Sequence, residues 1–148
     1  MSDQEFWRRA AEIAGKATWA YFATTKADQP KIRVVHPAIE GQVVWIATGR
    51  SSPKGKQISQ NPKVELFYQL GAEMVHLTIT GKARFIEDPV EKKRVWEGKV
   101  FDYDLAQFWP DGPGSEDFGL LLVEPTRAEL TSLPDMMAGK PPSVWRSD

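Results

Sequence analysis

The chain has 148 residues, 41% of them hydrophobic and 26% charged, the length and mix of one globular domain with a modest core. Nineteen basic residues against twenty acidic ones leave a formal charge of -1, so no global field draws the chain to nucleic acid or anionic lipid, and any anion site must be local. The absence of cysteine removes disulfides, thiolate catalysis and cysteine-held zinc or iron–sulfur centres, and His36 and His76 alone are too few for a histidine-rich metal site. The start, Met1-Ser2-Asp3-Gln4-Glu5, is polar and acidic, and no later run reaches the roughly 18 apolar residues of a membrane span, so the expectation is a soluble, cytoplasmic protein.

Ser2 and Glu5 have capping-box spacing, and Phe6, Ala10, Ile13, Ala14 and Ala17 recur on one helical face, so the chain is expected to open with an amphipathic helix. Residues 19–25 read as a strand ended by the turn former Asp28-Gln29-Pro30, and residues 31–39 as a second strand. Glu40-Gly41 reads as a hairpin turn into a strand over 42–48. Gly49-Arg50-Ser51-Ser52-Pro53 is too rich in turn formers for a strand, and a short helix is expected from about Lys54 to Gln60, ended by Asn61-Pro62. Strands follow over 63–69 and 74–86, the latter with Val75, Leu77, Ile79, Gly81, Ala83 and Phe85 on one face and Thr78, Thr80, Lys82 and Arg84 on the other.

Asp88-Pro89 starts a helix expected to run through Val100, residues 103–109 read as helical, 110–117 as a loop and 118–131 as the last strand. From Pro134 onward, prolines and Gly139 interrupt any period, so the C-terminal stretch is expected to be a loose arm or tail on a single domain spanning 1–148. Five closely spaced strands, a helical excursion and a returning strand do not alternate as β-α-β units would. The fold class expected is therefore mainly β, an antiparallel barrel with helices outside it.

With Glu40 and Gly41 as the two turn residues, opposed positions sum to 81, which places Arg33 across from Thr48 and on its face of the sheet. Arg33 would then project beside the Thr48 hydroxyl, at the mouth of a loop that adds Ser51, Ser52 and Lys54 and leads into a helix N-terminus. A guanidinium fork, hydroxyls, an ammonium and free helix-start amides are what a phosphate monoester requires. Each residue alone reads more readily as a solvated cross-strand pair or ordinary capping; the convergence is the signal.

Other phosphate readings fail on counting. The run from Gly49 to Gln57 is no P-loop, because its second glycine arrives one residue late and Gln57 replaces the magnesium-binding hydroxyl. Asp117-Phe118-Gly119 lacks the chain length and catalytic loop of a kinase. Most of the six tryptophans read as core or interface anchors, with Trp109, beside Pro110 and a Gly-rich loop, the one placed to offer its ring to a flat ligand or partner. His36 and His76 read as hydrogen-bonded surface histidines, with a lining role open to both.

Arg33-Val34-Val35-His36-Pro37, Val44-Trp45-Ile46-Ala47-Thr48, Ser52-Pro53-Lys54 with Gln57-Ile58, Asn61-Pro62-Lys63-Val64, Thr80-Gly81-Lys82-Ala83 and Phe108-Trp109-Pro110-Asp111-Gly112 form an ordered series. In order and spacing the series resembles the pyridoxamine 5'-phosphate oxidase-like split-barrel flavoproteins, in particular the general stress protein 26 group. The resemblance implies a split β-barrel homodimer with flavin mononucleotide (FMN) in two clefts at the subunit interface. It implies phosphate contacts from Arg33, Ser52 and Lys54, backbone around Val34 and Val35 and the Ala47-Thr48 pair bordering the flavin ring, and Trp109 approaching from the partner. His76 falls where the family's pyridoxamine oxidases carry a glutamine toward the flavin. True pyridoxamine 5'-phosphate oxidases end in an arginine-rich segment, whereas this chain ends Pro141-Pro142-Ser143-Val144-Trp145-Arg146-Ser147-Asp148, so oxidation of vitamin B6 is not expected.

The chain carries no obligatory acid, base or nucleophile, which suits flavin chemistry, where the cofactor moves the electrons and the protein positions it. The first functional expectation is an FMN-dependent oxidoreductase fed by a nicotinamide or another small organic donor. The alternatives are a flavin-binding stress or redox sensor without turnover, and the same barrel holding deazaflavin F420 or haem. An oligonucleotide-binding barrel would need basic and aromatic residues clustered on one face, against the balanced charge.

Overall fold

Ser2 caps helix α1 (Asp3–Ala17), its hydroxyl accepting from the Glu5 amide at 3.1 Å, and Phe6, Trp7, Ala10, Ile13 and Ala14 form the buried stripe that the spacing requires. The computed structural model describes residues 1–148. Eight strands follow: β1 (Ala20–Lys26), β2 (Gln29–Val35), β3 (Ala38–Glu40), β4 (Val43–Gly49), β5 (Lys63–Leu70), β6 (Val75–Phe85), β7 (Phe118–Thr131) and β8 (Ser143–Arg146). Helix α2 (Pro53–Gln60) joins β4 to β5, α3 (Pro89–Glu97) lies between β6 and β7, and α4 (Leu133–Met137) precedes β8.

All pairings are antiparallel, in the order β2-β1-β5-β6-β7-β4-β3, with β8 added to β7. The two edge strands, β2 and β3, are consecutive in the chain and separated only by His36 and Pro37. The sheet must therefore curl until its edges meet at that dipeptide, yet no ladder joins them. The expected class, a mainly β split barrel with flanking helices, is the one observed.

One expected strand is two, and this changes the register. Residues 31–39 do not continue through Pro37, which has no N–H to donate and restricts His36 before it. The β3–β4 hairpin pairs Ala38 with Trp45 and Glu40 with Val43 around Gly41-Gln42, so opposed positions sum to 83 rather than 81; Gly41, at φ 59°, supplies the left-handed turn residue. Arg33 lies opposite Phe22 on β1, and Thr48 lies opposite Gly119 on β7, so the two are not cross-strand partners.

Two apolar clusters sandwich the far side of the sheet. The larger fills the barrel beneath α1, with Phe22, Val44, Ile46, Leu66, Leu77 and Ile79 fully buried. The smaller packs Trp45, Phe118, Leu120 and Leu122 against Val95 of α3 and Phe101 and Leu105 of the following segment. Strands β4 and β7 are thus covered on both faces, which accounts for the unbroken burial of β7 from Phe118 to Val123. Arg94 of α3 donates to Glu40 at 3.0 and 3.2 Å, which holds the Glu40 carboxyl below its usual range and ties α3 to the β3–β4 hairpin.

Three stretches differ from expectation. Helix α3 ends at Glu97 because Gly98 follows and Lys99 takes φ 53°. Residues 103–109 contain only a 3₁₀ turn, Leu105–Gln107, capped by Asp104. The C-terminal stretch, expected to be loose, carries α4 and β8, and Trp145 is buried with its ring 5.1 Å from Trp7 at 80°. The two-residue alternation of Val144 and Trp145 is enough to make a strand once β7 offers an edge.

Candidate functional site

Alternation along β2 turns Arg33 to the same side as the buried Val35. Its guanidinium donates from Nη1 to Thr24 Oγ1 at 2.7 Å and from Nη2 to Gln57 Oε1 at 2.8 Å, and the Thr24 hydroxyl donates to the same Gln57 oxygen at 2.7 Å. Thr24 comes from β1 and Gln57 from α2; both are buried. The fork is therefore fixed between strand and helix by neutral acceptors, with N–H groups left over and no carboxylate to neutralise it.

Lys54 lies one turn before Gln57 on α2, half-buried. Burial, and then the charge of Arg33, hold its ammonium below the ordinary lysine range. Neither Arg33 nor Lys54 takes part in an ion pair. Two neighbouring, partly desolvated cations without an acid are costly in isolation and fit a multiply charged anion such as a phosphate ester.

Ser52 caps α2, its hydroxyl accepting from the Gly55 amide at 3.3 Å, with Pro53 at the first helical position. Ser51 instead donates to Asp117 Oδ1 at 3.2 Å, and the Arg50 amide bonds the Asp117 carbonyl, so Asp117 organises the outer side of this loop. Thr48 is buried and points into the barrel with Val44 and Ile46, whereas its neighbour Ala47 faces the other side of β4.

Beside Lys54 opens a pocket of about 340 Å³, within the range of small-molecule sites. Five residues anticipated from sequence line it: Val34, Val35, Ala47, Lys54 and Trp109. Trp109 reaches it from the same chain, its ring edge-on to Phe118 at 5.1 Å. Trp19, His36, Tyr103, Gln107 and Phe108 complete the wall. The His36 ring stacks on Tyr103 at 4.5 Å and lies 5.1 Å from Trp19. Burial, assisted by the Asp102 charge, pushes the Tyr103 phenol up to about 12, so it is a neutral donor at ordinary pH. A larger groove of about 690 Å³ shares Tyr103 with the pocket, but its charged side chains are Glu97, Asp102 and Asp104 against Lys99 alone, so an anion belongs on the Lys54 side.

His76 is not brought to this pocket within one chain. Its Nδ1 is 2.8 Å from the Met74 carbonyl, and its ring packs near Phe67. Phe85, nine residues along β6 and roughly 30 Å away at about 3.3 Å per residue, is the end of that strand whose ring packs on Gly55 of α2.

The residues that sequence reasoning missed had readable signals. Thr24 is a polar residue on the inward parity of β1 with Ala20 and Phe22, and Gln57 stands on the same helical face as Lys54.

The architecture is an antiparallel split barrel with flanking helices and a cleft that carries a cation and aromatic walls. Residues 6–132 match the profile described as pyridoxamine 5'-phosphate oxidase, and the chain belongs to that family. Among solved structures it is similar to a NimC/NimA family protein from Clostridium acetobutylicum (TM-score 0.76, 19% identity, 98% of this chain and 96% of that one). It is also similar to general stress protein 26 from Bacillus anthracis (0.74, 19%, 97% and 99%). A third is a pyridoxamine 5'-phosphate oxidase-related, FMN binding protein from Nostoc punctiforme (0.70, 17%, 96% and 96%). No curated protein matches significantly. No helix is long and apolar enough to cross a membrane.

Proposed function

We propose that the chain binds FMN and works as an FMN-dependent oxidoreductase, with the phosphate held by Arg33 and Lys54 at the start of α2. The observation that carries this reading is Lys54 on the wall of an aromatic-lined pocket, with the uncompensated Arg33 near enough for its charge to depress the lysine. With Pro53 carrying no N–H and the Gly55 and Lys56 amides bonded to Ser52, the Lys54 amide is the free N–H at the start of α2 for the same phosphate, and Thr24 and Gln57 hold the guanidinium in place before ligand arrives. Val34, Val35 and Ala47 border the ring, with Trp109 closing it from the side. When bound, FMN supplies hydride and single-electron chemistry that no side chain here can. A reduced nicotinamide or another small organic molecule is the donor.

A homodimer is part of the proposal, supported by an exposed apolar row that runs out of the pocket. Val34 pairs with Tyr21 and Tyr21 with Phe67 across three strands, and Ile32, Val34, Tyr21 and Trp19 are 70, 59, 52 and 58% exposed. A contiguous patch of that kind marks an association surface.

The deciding experiment is titration of cofactor-free protein with FMN and with riboflavin, which lacks the phosphate. FMN is expected to bind at least about 100-fold more tightly, the worth of two charge-assisted contacts. Equal affinities would place the phosphate elsewhere, and a purified protein with a Soret band would replace flavin by haem. Multiple turnovers with NADH or NADPH separate an enzyme from a flavin-binding sensor.

A further inference from the structure

His36 stands between two compartments. Its ring lines the pocket that holds Lys54 and Trp109, and also a smaller cavity beneath α1 that holds Asp102. Nε2 lies 2.6 Å from Asp102 Oδ1, with the imidazole 17% exposed and the carboxylate 66% exposed. Nδ1 has no partner in the chain, and Trp19 and Tyr103 on either side restrict the ring plane. The carboxylate thus touches solvent, the imidazole touches the carboxylate, and the imidazole forms part of the pocket wall. The other titratable groups facing this region are Tyr103, which stays neutral, and Lys54 across the pocket; α1 contributes only Ala11, Ala14 and Gly15.

We propose that His36, positioned by Asp102, is the proton donor of the pocket, serving the reduction of a planar carbonyl acceptor of the quinone class. This rests on the FMN reading above. The acceptor class follows from the walls not assigned to the flavin: Trp19, Tyr103 and Phe108, the first two beside His36, offer flat faces and edges to a second flat ring. When bound and reduced by a nicotinamide donor, FMN would supply the hydride and be the group oxidised. The quinone takes the hydride and becomes the hydroquinone anion. The Nδ1–H bond of the imidazolium breaks, and its proton forms the second O–H bond. The neutral imidazole keeps its Nε2–H on Asp102, which holds the ring in place, and takes a new proton at Nδ1 from water that enters the pocket as the hydroquinone leaves.

The test uses FMN-saturated protein, reduced anaerobically and mixed with either 1,4-benzoquinone or ferricyanide, which takes electrons without a proton. In His36→Gln the ratio of quinone rate to ferricyanide rate is expected to fall about 10²-fold, the scale of general acid catalysis. Asp102→Asn, on an exposed carboxylate, is expected to lower the same ratio about 10-fold, at the weak end of that scale. A purely structural role would slow both acceptors alike and leave the ratio unchanged, which would overturn the inference. A second readout needs no flavin: ¹⁵N NMR of the unloaded protein is expected to show His36 protonated at Nε2, with the tautomer population shifted in Asp102→Asn. A tautomer indifferent to that substitution would overturn the positioning role of Asp102. Failure of FMN to bind at all would overturn this inference together with the reading it rests on; normal binding with an unchanged ratio would overturn the inference alone.

Discussion

Lys54, on the wall of the pocket, and Arg33 beside it stand as like charges, and the charge of the arginine helps to depress the lysine. Such a pair raises the energy of the empty site and is relieved by an anion. Replacing both, as Arg33→Ala with Lys54→Ala, is expected to leave a folded protein that purifies without FMN. Each charge-assisted contact is worth about 1.5–3 kcal/mol, so the FMN dissociation constant should rise about 10²- to 10⁴-fold, while riboflavin affinity changes far less. Equilibrium dialysis with both ligands checks this, and an equal loss for both would mean that the pocket had collapsed.

The same lysine gives the binding reaction a pH dependence with a definite sign. Without ligand, Lys54 releases its proton at lower pH in the folded chain than in the unfolded one, whose value is near 10.5. Between those two values the unfolded chain binds more protons, so stability of the empty protein rises with pH across that window. Bound phosphate favours the ammonium and reverses the preference. FMN affinity is therefore expected to fall as pH rises through the folded Lys54 value, and calorimetric titrations run upward from about pH 7, above which the phosphate charge is constant, towards the ordinary lysine value should show the slope in the natural protein and lose it in Lys54→Met. Tyr103 does not titrate in this range.

Hydrophobic period made most of the barrel legible: β7 occupies residues 118–131 as read from its pattern, and β6 alternates as expected. What failed was long-range pairing. The run from Lys31 to Ile39 looks continuous because its residues suit strands on both sides of Pro37, and only the partner strands reveal that β2 belongs to β1 and β3 to β4. Arg33 and Lys54 were nevertheless recognisable as a pair, because α2 carries Lys54 back to the same end of the barrel by a different route. Their neutral partners were harder to see. A buried Thr24 or Gln57 carries no charge signature, and its role depends on which cation the fold delivers to it. The docking of β8 was invisible for a related reason, since four residues make a strand only when an edge is waiting.

If the row of Ile32, Val34 and Tyr21 is the seat of a second copy, a charge at its most exposed member is the sharpest perturbation. Ile32 is 70% exposed in one chain and opposes Ala23, so Ile32→Lys costs little in the folded subunit. Light scattering is expected to find a dimer for the natural protein and a monomer for the variant at the same micromolar concentration. A dissociation constant raised at least about 100-fold would correspond to loss of one central anchor. Because Val34 belongs both to the row and to the pocket wall, FMN affinity should fall with dimerisation. A variant that stayed dimeric would move the association surface elsewhere.

Trp145 separates what stabilises the barrel from what binds the ligand. It joins Trp7 in the core, yet the indole N–H of each is buried without an acceptor. Removing the ring should therefore be costly and removing only the nitrogen should not. Trp145→Ala is expected to destabilise by about 3–5 kcal/mol, measured as a lowered urea midpoint at unchanged slope. Trp145→Phe loses some ring area but also sheds an unsatisfied polar group, and should cost no more than about 1.5 kcal/mol. Trp145 pairs with Ala128, nine residues along β7 from Gly119 opposite Thr48, roughly 30 Å at the usual rise, so the phenylalanine variant should bind FMN as the natural protein does. Weakened binding in that variant would show that the barrel transmits strain from β8 to the mouth of the pocket.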